Sequence, residues 1–280
     1  MIRVVVLAAI PQESHPLLKL LGTSRKLAGQ PFPTWLQRSS HLELLVMESG
    51  IGAERAWRAA RHALSGSRID LLVSVGFAGS LWPGFSLGQV VWSRELTAYY
   101  EGVGGLRKAG FRPVSTLGLS AFCQAQLIQA SRFLTVDRLR PKAGMAARFA
   151  AEPAVVEMES TAVAAAAHGR NVPFLGLRAI SDGSTQDIQW ELDSVVDRDG
   201  RLSAPKLMLA VLRRPSLLRS LWRLRSNSRV AGRNLAAALM ALLQLPEQDL
   251  LAIAEQLRLQ PLPSGRDRGQ TGAEVLADHA

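Results

Sequence analysis

The sequence predicts an α/β protein of three layers, in which helices cover both faces of a central mixed, mainly parallel sheet. Short apolar runs, rich in β-branched residues or leucine, alternate with helical segments along the first two thirds of the chain. Runs of this kind are typical of strands that are buried on both faces of a sheet. Near residue 195 the alternation ends and a basic helical stretch follows, which predicts a helical C-terminal extension.

The elements of the sheet domain follow from these runs. The predicted strands are 2–9, 42–47, 69–75, 88–93 and 172–178. The predicted helices are 53–65, roughly 119–130, roughly 142–150 and 158–168. A further apolar run, VVEMES at 155–160, is interpreted as a strand that leads into the last of these helices. Ligands of such sheets usually bind beyond the carboxyl ends of the strands, so the site is expected there.

Three segments are expected: a sheet domain at 1–200, a basic amphipathic helical extension at 201–245, and a short helix with a flexible tail at 246–280. The net charge of the 280 residues is +10, and the stretch from Arg201 to Pro246 contains nine Lys or Arg and no Asp or Glu. Such a block indicates an anionic neighbour. Its leucine-rich spacing favours a membrane surface over nucleic acid, since Trp222 is the sole ring among the arginines. A helical lid on the core, or a subunit interface, is the alternative.

Composition narrows the class of protein. Cys123 is alone and the five histidines lack the spacing of ligands, so no disulfide, metal or cofactor is expected. No stretch approaches the ~20 apolar residues of a membrane span. The N-terminal run MIRVVVLAAI has no small-residue cleavage site after it, which favours a buried first strand over a signal peptide. We expect a cytoplasmic protein, with the inner face of the membrane as the alternative location.

Four carboxylates stand near predicted strand ends: Glu13, Glu157, Glu159 and Asp182. Three of them have an ordinary explanation, since Glu157 and Glu159 suit a helix N-terminus and Asp182 suits a turn before glycine. Their joint position at one edge of a sheet indicates a polar pocket instead. Two glycine turns, ESGIGAERA at 48–56 and VGFAGSLWPG at 75–84, are each expected to close a strand and open a helix, which lets a ligand approach the backbone.

Three segments carry a resemblance to a known family: VVEMESTAVAAAAHGRNVPFLGLRAISDGS, MESGIGAERA and VSVGFAGSLWPGFSLGQVV. Together they resemble the nucleoside phosphorylase and nucleosidase superfamily over roughly residues 1–185. A Met-Glu pair followed about twenty residues later by Arg-x-x-Ser-Asp is the specific part of the pattern. The resemblance implies an enzyme that breaks the N-glycosidic bond of a nucleoside, with an adenosine-type small molecule as substrate and a homo-oligomer, such as a dimer, as its assembly.

The resemblance also implies roles for single residues. Asp182 matches the acid that protonates or hydrogen-bonds purine N7, Glu159 the carboxylate that holds the ribose hydroxyls, and Glu13 the base that activates water. An acid at the base edge typically accelerates such a reaction ~10²–10⁴-fold. Further substrate contacts are implied for Met158, Glu157, Ser181, Ala78, Gly79, Phe77, Leu139, Ile51 and Gly52.

Two departures from the family pattern concern phosphate. Phosphorylases of this superfamily carry an arginine three residues before a Ser or Thr in the second glycine turn, and here Ser74 and Phe77 occupy those positions. The Gly-Asp-Pro turn near the N-terminus, with its arginine, is absent from the sequence as well. These departures favour water as the acceptor. Phe77 also makes the pocket more apolar than in relatives with a small polar residue.

Within the superfamily, SRFLTVDRLRPKAGMAARF and the segment that begins DRDGRLSAPKLMLAVLRR are most similar to the hopanoid-associated phosphorylases. That similarity implies release of adenine from adenosylhopane, by hydrolysis or phosphorolysis, and a lipid-linked substrate. Methylthioadenosine/S-adenosylhomocysteine nucleosidase and futalosine hydrolase are the alternative enzymes. A basic nucleic-acid-binding protein and an inactive nucleoside-binding protein are the alternatives without activity.

Overall fold

The computed structural model describes residues 1–66, 68–102, 105–107, 110–137, 142–149, 151–184 and 216–262. Within these ranges, the side chains of residues 100–102, 105–107, 143 and 216–225 lie outside this description. The predictions for Leu139, for residues 201–215 and for a tail beyond residue 262 fall outside the described part of the chain.

The strands, in chain order, are β1 Ile2–Ala8, β2 Arg25–Leu27, β3 Thr34–Arg38, β4 Leu42–Glu48, β5 Leu71–Ser80, β6 Val90–Gly102, β7 Gly105–Arg107, β8 Gly110–Pro113, β9 Gln129–Val136, β10 Ala154–Glu157, β11 Phe174–Asp182 and β12 Leu259–Pro261. The helices are α1 Pro11–Leu21, α2 Ala53–Leu64, α3 Leu117–Ala125, α4 Ala143–Phe149, α5 Ser160–His168, α6 Ser216–Leu243 and α7 Glu247–Gln256. The predicted α/β class, with a mixed central sheet and a helical C-terminal extension, is confirmed.

The centre of the sheet is parallel and its edges are antiparallel. Strands β4, β1, β5 and β11 run side by side in one direction. Antiparallel partners β3 and β2 extend the sheet on one side. On the other side β6 pairs antiparallel with β11 and parallel with β9, and β10 connects β9 to the end of β5. The carboxyl ends of the four central strands therefore meet at one edge, with β10 beside them.

Each face of the sheet has its own apolar core, because side chains alternate along a strand. In β1, Val4 and Val6 belong to the core beneath α1, α3, α6 and α7, whereas Val5 and Leu7 belong to the core beneath α2 and α5. Near-continuous apolar runs such as IRVVVLA are what a strand covered on both faces requires.

Three local predictions need correction. The helix expected at 119–130 ends at Ala125, because Leu127 adopts a left-handed conformation with φ 56°, and residues 129–136 form β9 instead. The glycine turn expected at 75–84 lies within and beyond β5, which continues to Ser80 and is not followed by a helix. Residues 11–21, for which no element was predicted, form α1 with Pro11 in its first turn, a position where proline is tolerated.

The C-terminal half of α6 belongs to the core rather than to a separate surface element. Its buried side chains share the core of β1 and β5: Ala231, Leu235, Ala236, Leu239, Leu242 and Leu243. The basic residues Arg229, directly before this half, and Arg233, within it, are exposed. From Ala231 onwards the apolar face of this helix is therefore already covered by protein. For the described residues, this packing matches the alternative interpretation of the extension, a helix that packs on the core.

Candidate active site

Glu13 is held at the first turn of α1, directly beyond the end of β1. Its Oε2 accepts hydrogen bonds from the backbone N–H groups of Ala9 (2.8 Å) and Ile10 (3.2 Å). Its Oε1 accepts one from the N–H of Phe77 in β5 (2.9 Å). Because unpaired N–H groups at a helix N-terminus favour a carboxylate, the sequence Pro-Gln-Glu places this acid at the strand ends. The predicted site residue is thereby fixed to two neighbouring strands.

The surroundings of Glu13 alter its chemistry. Burial raises the pKa of its carboxyl, and the positive charge of Arg178 and the backbone hydrogen bonds offset part of that increase. Gly76 makes the close approach possible, since a β-carbon added there would lie 2.8 Å from Glu13 Oε1. A buried carboxyl with a raised pKa is a better base than an exposed one.

Arg178, in the middle of β11, is the cation around which the acids gather. Its guanidinium is buried, with Nη2 2.7 Å from Glu157 Oε2 and 4.0 Å from Glu159 Oε2. Nη1 and Nη2 also donate to the carbonyl oxygen and the hydroxyl of Ser74, at 3.0 and 3.1 Å. We call Arg178, Glu13, Glu157 and Glu159 the arginine cluster. Because three acids share this guanidinium, their negative charges repel one another and favour protonation of Glu159.

Glu157 holds the other members of the arginine cluster in place. Its carboxylate accepts hydrogen bonds from the N–H groups of Glu159 (3.0 Å) and Ser160 (2.8 Å), which begin α5. The hydroxyl of Thr135 donates to its second oxygen, and its side chain has no exposed surface. With protein donors at both oxygens, Glu157 lies behind Glu159 and fixes the start of α5.

Glu159 is the acid at the accessible side of the arginine cluster, with 13% of its side chain exposed. The N–H of Gly52, at the start of α2, donates to its Oε1 at 2.9 Å. Burial and then the negative charge of Glu157 raise the pKa of Glu159 to about 8, although Arg178 acts in the opposite direction. A carboxyl with this pKa can either donate or accept a hydrogen bond near neutral pH.

Asp182 is fully buried at the end of β11, where the register with β5 shifts between Ile180 and Asp182. Its Oδ1 accepts a hydrogen bond from the Ser181 hydroxyl at 2.6 Å. Its Oδ2 forms a salt bridge of 2.5 Å with Nζ of Lys142, the residue before α4. We call Lys142 and Asp182 the lysine pair.

The remaining predicted residues lie along the same edge. Ala78 and Gly79 are in the last part of β5, and the Ser181 hydroxyl lies 3.4 Å from the carbonyl oxygen of Ala78. Met158 is partly buried between Glu157 and Glu159. Ile51, beside Gly52, is partly buried in the turn between β4 and α2.

Phe77 connects this edge with α6. It is partly buried against the core that includes α6, and a β-carbon added at Gly232 would lie 3.6 Å from the Phe77 ring. The end of β5 therefore connects the two groups of charges, since Phe77 N–H binds Glu13 and Gly79 adjoins Asp182. Within the described part of the chain, no group of His, Cys, Asp or Glu side chains is arranged to hold a metal ion.

Two residues of this edge received no role from the sequence. Arg178 could have been found, because it is the arginine of the Arg-x-x-Ser-Asp pattern and an apolar strand interior rarely holds an unpartnered guanidinium. Lys142 gave no such signal. It lies among basic residues in a segment that reads as an ordinary helix start, and its salt bridge joins residues 40 positions apart.

An α/β fold with buried carboxylates and perturbed acids at its strand ends is typical of an enzyme. The family model described as the phosphorylase superfamily matches residues 3–213, and the chain therefore belongs to the phosphorylase superfamily. The superfamily resemblance and the prediction of a glycosyl-bond-cleaving enzyme are confirmed. The hopanoid-associated subgroup remains a prediction.

Solved structures share this fold at low sequence identity. The 5′-methylthioadenosine/S-adenosylhomocysteine nucleosidase of Neisseria meningitidis, in complex with methylthio-immucillin-A, has a TM-score of 0.66 and 19% identity, with 87% of this chain and 99% of that chain covered. A futalosine hydrolase mutant of Helicobacter pylori has a TM-score of 0.64 and 15% identity, with 86% of this chain and 98% of that chain covered. The 5′-methylthioadenosine/S-adenosylhomocysteine nucleosidase of Colwellia psychrerythraea, in complex with adenine, has a TM-score of 0.64 and 17% identity, with 92% of this chain and 98% of that chain covered.

Proposed function

We propose that this protein cleaves the N-glycosidic bond of a 5′-modified adenosine and releases adenine. The observation that carries the proposal is the arginine cluster, in which Glu13, Glu157 and Glu159 lie around one guanidinium at the edge of the sheet where Asp182 is also buried. Breaking the bond builds positive charge on the ribose, and preorganised carboxyl groups beside it stabilise that charge. The similarity in fold to nucleosidases solved with adenine or methylthio-immucillin-A supports an adenosine-type ligand.

Each end of the substrate has a proposed partner. Asp182 faces purine N7, where the leaving base gains a proton, and the base lies along Ala78, Gly79 and Leu139. Glu159 binds the ribose hydroxyls, because 13% of its side chain is accessible while Glu157 has no exposed surface, and its pKa of about 8 lets it donate or accept.

The sugar lies between these two partners. Met158 packs against it, and Ile51 and Gly52 border it from the start of α2. Glu157 and Ser181 act by positioning Glu159 and Asp182, respectively, through the hydrogen bonds already described.

Water is the proposed acceptor, with Glu13 as the base that removes its proton. Ser74 stands at the position where phosphorylases carry an arginine, and its hydroxyl is 3.1 Å from Nη2 of Arg178. Phe77 places an aromatic ring where a hydroxyl would bind phosphate, and that ring lies near α6. These two positions therefore supply neither the cation nor the donor that phosphate would need.

The proposed 5′ substituent is a hydrophobic chain, as in adenosylhopane, which makes the substrate lipid-linked. Phe77 supports this choice, because it makes an apolar connection between the end of β5 and α6, and α6 begins in the leucine-rich segment. The second candidates are methylthioadenosine/S-adenosylhomocysteine nucleosidase and futalosine hydrolase activity, favoured by the similarity in fold.

The proposed partner of the basic extension is an anionic membrane surface. Within the described residues no single helix has both the length and the apolar character that a membrane span needs. The helices Ser226–Leu243 and Glu247–Gln256 have them only when taken together, and the chain bends by 108° between the two. Since the second half of α6 is packed in the core, the membrane-binding part would be residues 201–230. Each Lys or Arg near such a surface contributes ~1 kcal/mol.

Adenine release tests the main proposal. The protein is incubated with adenosine, 5′-methylthioadenosine, S-adenosylhomocysteine and an adenosine that carries a long 5′-alkyl chain, each with and without phosphate. We expect adenine and a free ribose derivative, fastest for the long chain and independent of phosphate. A ribose-1-phosphate product would overturn hydrolysis. No adenine from any of the four compounds would overturn the proposed function.

Vesicle binding tests the proposed membrane partner. The full chain is centrifuged with anionic and with neutral vesicles, at low and at high salt. We expect it to sediment with anionic vesicles at low salt only, because ion screening weakens contacts between surface charges. Replacement of Arg219, Arg223 and Arg225 by glutamine should abolish sedimentation, whereas the matched change of Arg25, Arg38 and Arg58 should not. A full chain that stays in the supernatant at low salt would refute the membrane proposal.

A further inference from the structure

Lys142 places a buried ammonium group at the carboxylate proposed to face the leaving base. Only 4% of Lys142 is exposed, although it is the residue before α4 and belongs to no strand. Its Nζ lies 2.5 Å from Asp182 Oδ2 and 2.5 Å from the carbonyl oxygen of Gly183. An ammonium is held in such a place only when the acceptors around it replace water, so these contacts fix where the charge lies.

The fold leaves space for this pair at the end of β5. A β-carbon added at Gly79 would lie 3.0 Å from Asp182 Oδ2 and 3.3 Å from Lys142 Nζ. The lysine pair therefore lies against the strand that is proposed to line the purine. By contrast, the pair of Arg258 and Glu255 is exposed at 34% and 60%, as an ordinary surface ion pair is.

The hydrogen bonds around Asp182 identify the group that can give up a proton. One oxygen of its carboxylate accepts from the Ser181 hydroxyl and the other accepts from Lys142. Of these two donors, the Lys142 ammonium is the one with acidic hydrogens, since a serine hydroxyl is a far weaker acid. We propose that Lys142 is a catalytic residue, the proton source of the leaving purine, with Asp182 holding and orienting it.

This proton transfer is one step of the proposed hydrolysis and therefore rests on the proposed function. The bond between C1′ and N9 breaks, and its electron pair moves into the purine. N7 takes a proton from Nζ of Lys142, which becomes a neutral amine that Asp182 still accepts from. Water adds to C1′ and gives a proton to Glu13. Exchange with solvent then returns one proton to Lys142 and removes one from Glu13.

Two substitutions separate proton transfer from the positioning of Asp182. In Lys142→Gln the amide still donates to Asp182 but has no proton to transfer. In Lys142→Arg the ion pair is kept, but a guanidinium does not give up its proton in proteins. Each variant is measured with 5′-methylthioadenosine and with 4-nitrophenyl β-D-ribofuranoside, whose leaving group departs as an anion and needs no proton.

We expect both variants to lose ~10²-fold or more in kcat on 5′-methylthioadenosine, which is the usual contribution of general acid catalysis. Both should keep almost the whole rate on the nitrophenyl riboside. Equal losses on the two substrates, or full 5′-methylthioadenosine cleavage by Lys142→Arg, would overturn the role of Lys142. The arginine variant alone decides if the glutamine variant does not fold. A wild-type protein that releases no adenine from any of the four adenosine compounds would overturn the proposed function itself, which keeps the two failures distinguishable.

Discussion

The arginine cluster and the lysine pair lie at the same edge of the sheet, and they balance buried charge in different ways. In the arginine cluster, Glu13, Glu157 and Glu159 surround the single guanidinium of Arg178. In the lysine pair, one carboxylate faces one ammonium. Both groups are almost fully removed from solvent, so neither resembles a surface ion pair.

The difference between the two groups suggests that they act on different parts of the substrate. A cluster with more acids than cations favours positive charge nearby, and its acids hold protons more readily, as the pKa of about 8 for Glu159 indicates. A one-to-one pair is neutral as a whole, and its ammonium provides hydrogens that a leaving group could take. The arginine cluster thus suits the sugar, and the lysine pair suits the base.

The largest effect is expected from a change in the lysine pair. Asp182→Asn should reduce kcat for adenine release by ~10²–10⁴-fold, because an uncharged amide no longer holds the Lys142 ammonium in place to protonate N7. The matched control is Asp70→Asn, at the amino end of β5, where Asp70 binds the N–H of Arg3 and the side chain of Arg68. The control should keep its kcat, and a fully active Asp182→Asn would exclude Asp182 from the chemistry.

A change at the centre of the arginine cluster should act on stability first. Arg178→Met leaves Glu157 buried without its cation, which is expected to lower the free energy of unfolding by about 3–5 kcal/mol. The free energy of unfolding is measured by urea denaturation. Arg258→Met breaks an exposed pair and should change stability by less than ~1 kcal/mol.

The double variant Glu157→Gln with Arg178→Met should recover part of the loss, because the buried negative charge is gone. An Arg178→Met protein as stable as Arg258→Met would show that the arginine cluster does not depend on its cation.

Gly76→Ala tests whether the end of β5 sets the position of Glu13. The added methyl group would lie 2.8 Å from the Glu13 carboxylate, so it should lower stability by about 1–3 kcal/mol and weaken catalysis. The control is Gly66→Ala, where the nearest heavy atom would be 3.9 Å away. Thermal unfolding and adenine release measure both effects. Equal behaviour of the two variants would mean that Glu13 tolerates displacement.

The most gradual effect is a dependence of stability on pH, which is spread over several pH units. The pKa of Glu159 is raised from 4.5 to about 8 on folding, so its contribution is fully present below pH 4.5 and is lost as pH rises towards 8. The slope is at most ~1.4 kcal/mol per pH unit. Glu159→Gln should remove this slope, whereas Glu255→Gln should not, because the pKa of Glu255 is lowered by Arg258 and its effect lies at lower pH. Unfolding in urea from pH 5 to 8 measures it, and parallel curves for wild type and Glu159→Gln would contradict the raised pKa.

Much of the sheet could be predicted because the signals are local. Runs such as IRVVVLA and LELLVME are apolar throughout, as strands covered on both faces must be. The acids Glu157, Glu159 and Asp182 follow directly from such runs, and the strands carry them to one edge. The C-terminal end of the helix that begins at Leu117 could not be predicted in the same way. The segment LGLSAFCQAQLIQA is equally apolar before and after the turn at Leu127.

The sequence by itself determined the α/β class, the family pattern and the acids at the strand ends, since all three depend on neighbours in the chain. Tertiary structure alone decided which cation serves which acid. Arg178 lies 21 residues from Glu157, and Lys142 lies 40 residues from Asp182, so no spacing rule connects them. It also decided that the second half of α6 is core. An amphipathic helix looks the same in sequence whether a sheet or a membrane covers its apolar face, and only the packing of Leu235 and Leu239 against the strands distinguishes the two.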